Sequence, residues 1–117
     1  MPGPMDARLP AHIEATGLLR QVQAAGGFAT VLHRGHREAG SLLVVLVENG
    51  AGARAYERMP QVDGARPWHL SKVQDDENKQ EFSEYLARRA ARDADLWIIE
   101  LDIAHGERFI GLTALPG

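Results

Sequence analysis

The run Leu42-Leu43-Val44-Val45-Leu46-Val47 constrains this chain more than any other feature. Six aliphatic residues follow one another without a polar break. A membrane helix needs roughly 20, so the run is too short to span a bilayer. Successive side chains of a strand point to opposite faces, and here both sets are apolar. Such a strand is stable only with both faces covered, which puts it at the centre of a sheet.

The flanking segments supply the other elements. Residues 11 to 25 carry Ala11, Ala15, Leu18, Leu19, Val22 and Ala25 on one side of a helix, with Gly26-Gly27 as its stop. Ile13 falls off that stripe, so the back of the helix is expected to touch something. Phe28 to Arg34 reads as a strand, and Gly35 to Gly40 as a turn bounded by glycines. Asn49-Gly50 is a hairpin signal, because both residues accept positive φ. Ala53 to Met59 alternates, with Arg54, Tyr56 and Arg58 on one face. Pro60 ends it, and Asp63-Gly64 marks a turn. Trp68 to Val73 follows, with Trp68, Leu70 and Lys72 on one side.

Asn78 precedes Glu81 by three residues, which is helix-start chemistry. Phe82, Tyr85, Leu86 and Ala90 form the stripe of a helix that runs to about Arg92. Acids lead it and arginines close it, in the sense that the helix dipole favours. Leu96 to Ile103 is the strand richest in bulky apolar groups. Trp97, Ile99, Leu101 and Ile103 line one face; Leu96, Ile98, Glu100 and Asp102 line the other. Phe109, Ile110 and Leu112 form a short final element.

These segments predict an α+β domain of order α-β-β-β-β-α-β. Its sheet is five-stranded and mostly antiparallel, with the helices on one face. Short connections make the first four strands a meander. Residues 1–7 read as a flexible tail, and residues 8–117 as one domain of ordinary size.

Composition excludes several classes. The 117 residues contain no cysteine, so disulfides, thiol catalysis and cysteine-ligated metals are ruled out. The first residues show no signal-peptide pattern, and the expectation is a cytoplasmic protein without a membrane segment. Net charge is −3, which makes nucleic acid the weakest of the partner classes. The charge is uneven: residues 1–74 carry +2 and residues 75–117 carry −5. No Walker loop, dinucleotide fingerprint or Gly-x-Ser-x-Gly elbow is present.

Several blocks together resemble a known family. They are Gly26-Gly27-Phe28-Ala29-Thr30-Val31 through Glu38-Ala39-Gly40, Tyr56-Glu57-Arg58 with Trp68, and Asp95-Leu96-Trp97-Ile98-Ile99-Glu100-Leu101-Asp102. The family is a small bacterial one, described only as a domain of unknown function. The resemblance spans roughly residues 8 to 110. It implies a bacterial cytoplasmic protein and carries over no activity, cofactor or catalytic residue.

Four constellations stand out. His33 and His36 with Glu38 have ligand chemistry, but Arg34 and Arg37 beside them oppose a cation, so a solvated turn is the better reading. Glu100 and Asp102 point to one face, about 6.6 Å apart along the strand, and could serve a metal or acid–base chemistry. Arg89 sits within an apolar helix stripe and is expected to pair with Glu100 or Asp102. Arg54, Tyr56, Arg58 and Trp68 put basic and aromatic groups on one face. That face suits a stacked sheet surface, a protein interface or, least well, nucleic acid.

The favoured function is a non-catalytic protein-interaction or regulatory module that acts on a protein partner or as a homo-oligomer. No cofactor and no metal is called for. The competing class is a small metal- or anion-dependent enzyme or ligand binder using Arg89, Glu100 and Asp102.

Overall fold

The computed structural model describes residues 10–58 and 67–112. The tail expected over residues 1–7 and the turn expected at Asp63-Gly64 lie outside the described residues. Helix α1 spans Ala11–Ala24, and strands β1 to β4 span Phe28–His33, Leu42–Glu48, Ala51–Arg58 and Trp68–Val73. Helix α2 (Lys79–Arg92), strand β5 (Trp97–Asp102) and a 3-10 turn over Gly106–Ile110 complete the chain. This is the α-β-β-β-β-α-β order that the periodicities predict. The Asn78 side chain accepts from the Glu81 amide at 3.3 Å and caps α2.

The sheet has the order β1-β5-β2-β3-β4. It is antiparallel except between β2 and β5, which run parallel. Strand β2 is therefore central, and none of its six aliphatic residues is more than 4% exposed. Each such burial contributes about 1.5–3 kcal/mol relative to exposure. Leu42, Val44 and Leu46 face α1, together with Trp97, Ile99 and Leu101. Leu43, Val45 and Val47 face α2, together with Leu96 and Ile98, and pack against its Phe82.

Two sequence expectations are corrected here. The helices lie on opposite faces of the sheet, not on one. The run 42–47 itself requires this, since both of its apolar sets need a cover. The four-strand meander is also broken: β2, β3 and β4 form one, but β5 separates β1 from β2. Strand β5 is fully apolar on its α1 face and apolar through Ile98 on the other, and it takes an interior position, whereas β1 alternates between half-buried and exposed and takes an edge.

The segment 34–41 is consequently a crossing rather than a hairpin, and it passes over the start of β5. His36 N–H donates to the Asp95 carbonyl at 3.1 Å, and the Trp97 indole donates to the His36 carbonyl at 2.7 Å. A Cβ on Gly35 would lie 2.1 Å from the Asp95 oxygen, and one on Gly40 would lie 2.3 Å from it. The two glycines that bound this segment are thus required by close backbone approach.

In the β2–β3 hairpin, Asn49 (φ 55) and Gly50 (φ 75) are both left-handed, as the Asn-Gly signal predicts. A bulge between β3 and β4 turns Lys72 to the α2 face, where it meets Glu81 at 3.5 Å. The expected alignment of Lys72 with Trp68 and Leu70 fails for that reason.

The crossing gives the first prediction. Gly40→Ala forces backbone apart at Asp95 and should lower stability by at least about 1 kcal/mol, read as a fall in thermal midpoint.

Candidate functional site

Strand β3 organises the polar groups on both faces. Arg54, Tyr56 and Arg58 point toward α1, and Glu57 points toward α2. On the α1 side, the 3-10 turn folds over the sheet and brings in Glu107, which is 4% exposed. Arg54 grips Glu107 with two bonds, Nε to Oε2 at 2.6 Å and Nη2 to Oε1 at 2.8 Å. The Tyr56 hydroxyl donates to the same carboxylate at 3.1 Å. Arg54 also reaches the Gly52 carbonyl at 3.2 Å.

The electrostatics follow from this arrangement. The bonds from Arg54 hold the Glu107 carboxyl below the ordinary carboxylate range, against the opposing effect of burial. The same contact raises Arg54. Burial, and then the Glu107 charge, push the Tyr56 hydroxyl up to about 12. The charged pair and neutral phenol form an interior clamp that is internally satisfied.

Arg58 and Trp68 lie farther out on the same face. The Arg58 guanidinium pairs with Glu14 of α1 and sits 4.7 Å from the Trp68 ring centre. These two residues border a pocket of about 330 Å³ between α1, the β3–β4 edge and the 3-10 turn. The four residues read together from sequence are therefore divided. Arg54 and Tyr56 serve the interior, and Arg58 and Trp68 serve a pocket rim.

On the opposite face, Arg89 binds Glu57, not Glu100 or Asp102. Its Nη1 lies 2.7 Å from Oε2 and its Nη2 lies 2.8 Å from Oε1. Nη1 also donates to the Tyr85 hydroxyl at 2.8 Å, and that hydroxyl bonds Ser71 at 3.3 Å. Arg89 lowers the Glu57 carboxyl and is itself raised. The expected partner fails because Arg89 lies over β3 and is taken by Glu57, whereas Glu100 and Asp102 lie on β5, with β2 between the two strands.

Asp102 has a separate task. Its two oxygens accept from the Asn49 and Gly50 amides at 2.7 and 3.0 Å, and so hold the β2–β3 hairpin. Glu100 faces the same way, opposite Thr30 of β1. Burial raises its carboxyl above the ordinary range, and the Asp102 charge adds to the shift. Arg89, Glu100 and Asp102 do not converge. Among the described residues, no group of three or more His, Asp or Glu side chains is placed to hold a metal ion.

The His33–Glu38 segment is likewise committed to structure. The His33 ring bonds the Leu96 carbonyl at 2.6 Å, and His36 Nδ1 accepts from the Glu38 and Ala39 amides. Among the described residues, no helix is long and apolar enough to cross a membrane.

Sequence reasoning missed Glu107 and Glu57. A signal existed for each. Arg54 and Tyr56 share a core-facing parity and require a buried acid, and Glu107 stands three residues before apolar Ile110. Glu57 has the parity of Ala53 and Ala55, which face α2.

Edge strand β1 exposes a different kind of surface. Phe28 is 76% exposed and Leu32, the extra residue of a bulge, is 46% exposed. Phe28 and Thr30 pair with Asp102 and Glu100, so they share the sheet face that α2 leaves bare.

The interior clamp yields the second prediction. Glu107→Ala strands Arg54 and should cost about 3 kcal/mol in chemical denaturation. Glu107→Gln should show the pH sign. The folded carboxyl titrates below its unfolded value, so its stabilising contribution is complete above about pH 5 and is lost as pH falls through the lowered folded value. The gap between wild type and Glu107→Gln should close over that acidic window.

Comparison with known proteins places the chain among similar folds. The family profile described as "protein of unknown function (DUF1491)" matches residues 9–111. A crystal structure of a DUF1491 family protein from Caulobacter crescentus CB15 is 28% identical, covers 89% of this chain and 96% of its own, and has a TM-score of 0.74. A solution structure of a protein from A. tumefaciens is 26% identical, with 94% and 98% covered and a TM-score of 0.72. An NMR structure of a DUF1491 family protein from Caulobacter crescentus CB15 is 30% identical, with 86% and 91% covered and a TM-score of 0.72. No curated protein matches the chain.

Proposed function

This chain belongs to the DUF1491 family, and from that premise we propose that it is a non-catalytic protein-interaction module that pairs with a second copy of itself through edge strand β1. One observation carries the reading. Phe28 and Leu32 stand exposed on an edge strand whose sequence, Phe-Ala-Thr-Val-Leu-His, contains no Lys, Glu, Asp or Pro. Exposed edges invite strand addition unless charge or irregularity discourages it. The opposite edge, β4, carries Lys72 and a bulge. Strand β1 has a bulge at Leu32 but no charge that would repel a neighbour.

Antiparallel addition of a second β1 about a two-fold axis would extend the sheet and cover Phe28. Arg54 and Tyr56 take no direct part, because Glu107 occupies both. The setting proposed is the bacterial cytoplasm. Supporting it are the relatives from Caulobacter crescentus and A. tumefaciens and the absence of cysteine in the sequence. The enzyme reading draws little support from Arg89, Glu100 and Asp102, which serve three separate local structures.

Sedimentation at up to about 100 μM tests the proposal, a range that detects even a weak dimer. The wild type should be dimeric at the upper end. The double variant Phe28→Lys, Leu32→Lys should be monomeric with an unchanged circular dichroism spectrum. A monomeric wild type throughout, or a dimer that survives both substitutions, would overturn it.

A further inference from the structure

We infer that the pocket between α1 and the β3–β4 edge is a binding site for an uncharged, ring-bearing apolar small molecule. The inference is independent of the β1 surface and rests on three observations. The first is Gly17. It sits in the middle of α1, where glycine is a poorer helix former than alanine. Packing does not require it, since a Cβ there would meet no atom within 4 Å. Its φ is not left-handed either. Yet Gly17 lines the pocket, and any side chain at that position would enter the space. The sequence keeps open a volume that a commoner helix residue would reduce.

The second observation is the wall. Ile13, Leu18, Trp68, Phe109 and Ile110 surround the space. Ile13 is the residue that falls outside the core stripe of α1, and the pocket accounts for its position. It is 46% exposed and stands at the rim of the space. Trp68 and Phe109 add aromatic area to the wall, and each ring carries an arginine guanidinium, Arg58 or Arg108, over one face. About 330 Å³ falls at the small end of the range for ligand sites.

The third observation is charge. Among the described residues that line the space, the ionised ones are Glu14 and Arg58, which pair with each other, and Arg58 also covers the Trp68 ring. A charged ligand would have to compete with this pair and desolvate its own charge. An uncharged ring has no such cost and gains apolar burial. The site therefore selects by shape and apolarity.

Fluorescence titration with N-phenyl-1-naphthylamine, an uncharged probe, tests this. Wild type should give saturable 1:1 binding. Gly17→Leu should weaken binding at least about tenfold while the thermal midpoint stays level or rises, because the leucine fills empty space on a better helix former. The Phe28→Lys, Leu32→Lys variant should bind as wild type does. The sulfonated analogue 8-anilino-1-naphthalenesulfonate should bind at least about tenfold more weakly than the neutral probe.

Four binding results would overturn the inference. They are non-saturable binding by wild type, equal binding by Gly17→Leu, loss of binding only in the β1 variant, and equal affinity for the sulfonated probe. A marked fall in thermal midpoint for Gly17→Leu would also overturn it, by showing that the protein's own chain fills the space.

Discussion

Strand β2 must be dry on both faces, and most of the architecture follows from that. Six consecutive aliphatic side chains leave no face for water. One helix can cover only one side, so α1 and α2 take opposite sides of the sheet. The neighbour of β2 must be nearly as apolar, and β5 is the strand that qualifies. Because β5 comes last in the chain, the sheet closes only after α2 has crossed. Parallel pairing of β2 with β5 and the displacement of β1 to an edge are consequences of the same requirement.

Polar chemistry in the interior is concentrated on β3. Each face of that strand carries an arginine–carboxylate–tyrosine set. On the α1 side Arg54, Glu107 and Tyr56 tie down the 3-10 turn. On the α2 side Arg89, Glu57 and Tyr85 tie down the second helix. Strand β3 supplies the arginine to one set and the acid to the other. Buried ion pairs of this kind need not increase net stability, since desolvation offsets the attraction, but losing one partner is costly. Their geometric effect is to fix where each covering element sits. With these groups committed to architecture, the surfaces proposed for recognition among the described residues are the edge at β1 and the pocket beside Gly17.

Much of this fold was legible in the sequence because the relevant signals are local. Asn78 caps a helix through an amide three residues away, and Asn49-Gly50 turns a hairpin through its own backbone preferences. The strands and helices begin and end close to where periodicity and turn chemistry put them. Strand order was not legible, because the β1–β5 and β2–β5 pairings join residues far apart in sequence. The weight of β5 was visible in its composition, but a run of short connections favoured a meander. The helix placement could have been drawn from Leu42–Val47 alone. At the candidate site, the need of Arg89 for a carboxylate was legible and the identity of that carboxylate was not. Arg89 needed a carboxylate, and sequence spacing cannot distinguish Glu57 on β3 from Glu100 on β5. Gly17 gave no local signal, because its meaning lies in the space opposite it.

Amide hydrogen exchange at two protein concentrations tests the central claim most directly, because it reads the buried centre and the open edge together. The account predicts that Val44 to Val47 and Ile98 to Leu101 exchange slowest at both concentrations. Amides of Phe28 to Leu32 should be less protected when dilute and gain protection as concentration rises. Exchange in β2 as fast as in β1 would contradict the buried centre. Protection in β1 that ignores concentration would contradict the edge as a site of self-pairing.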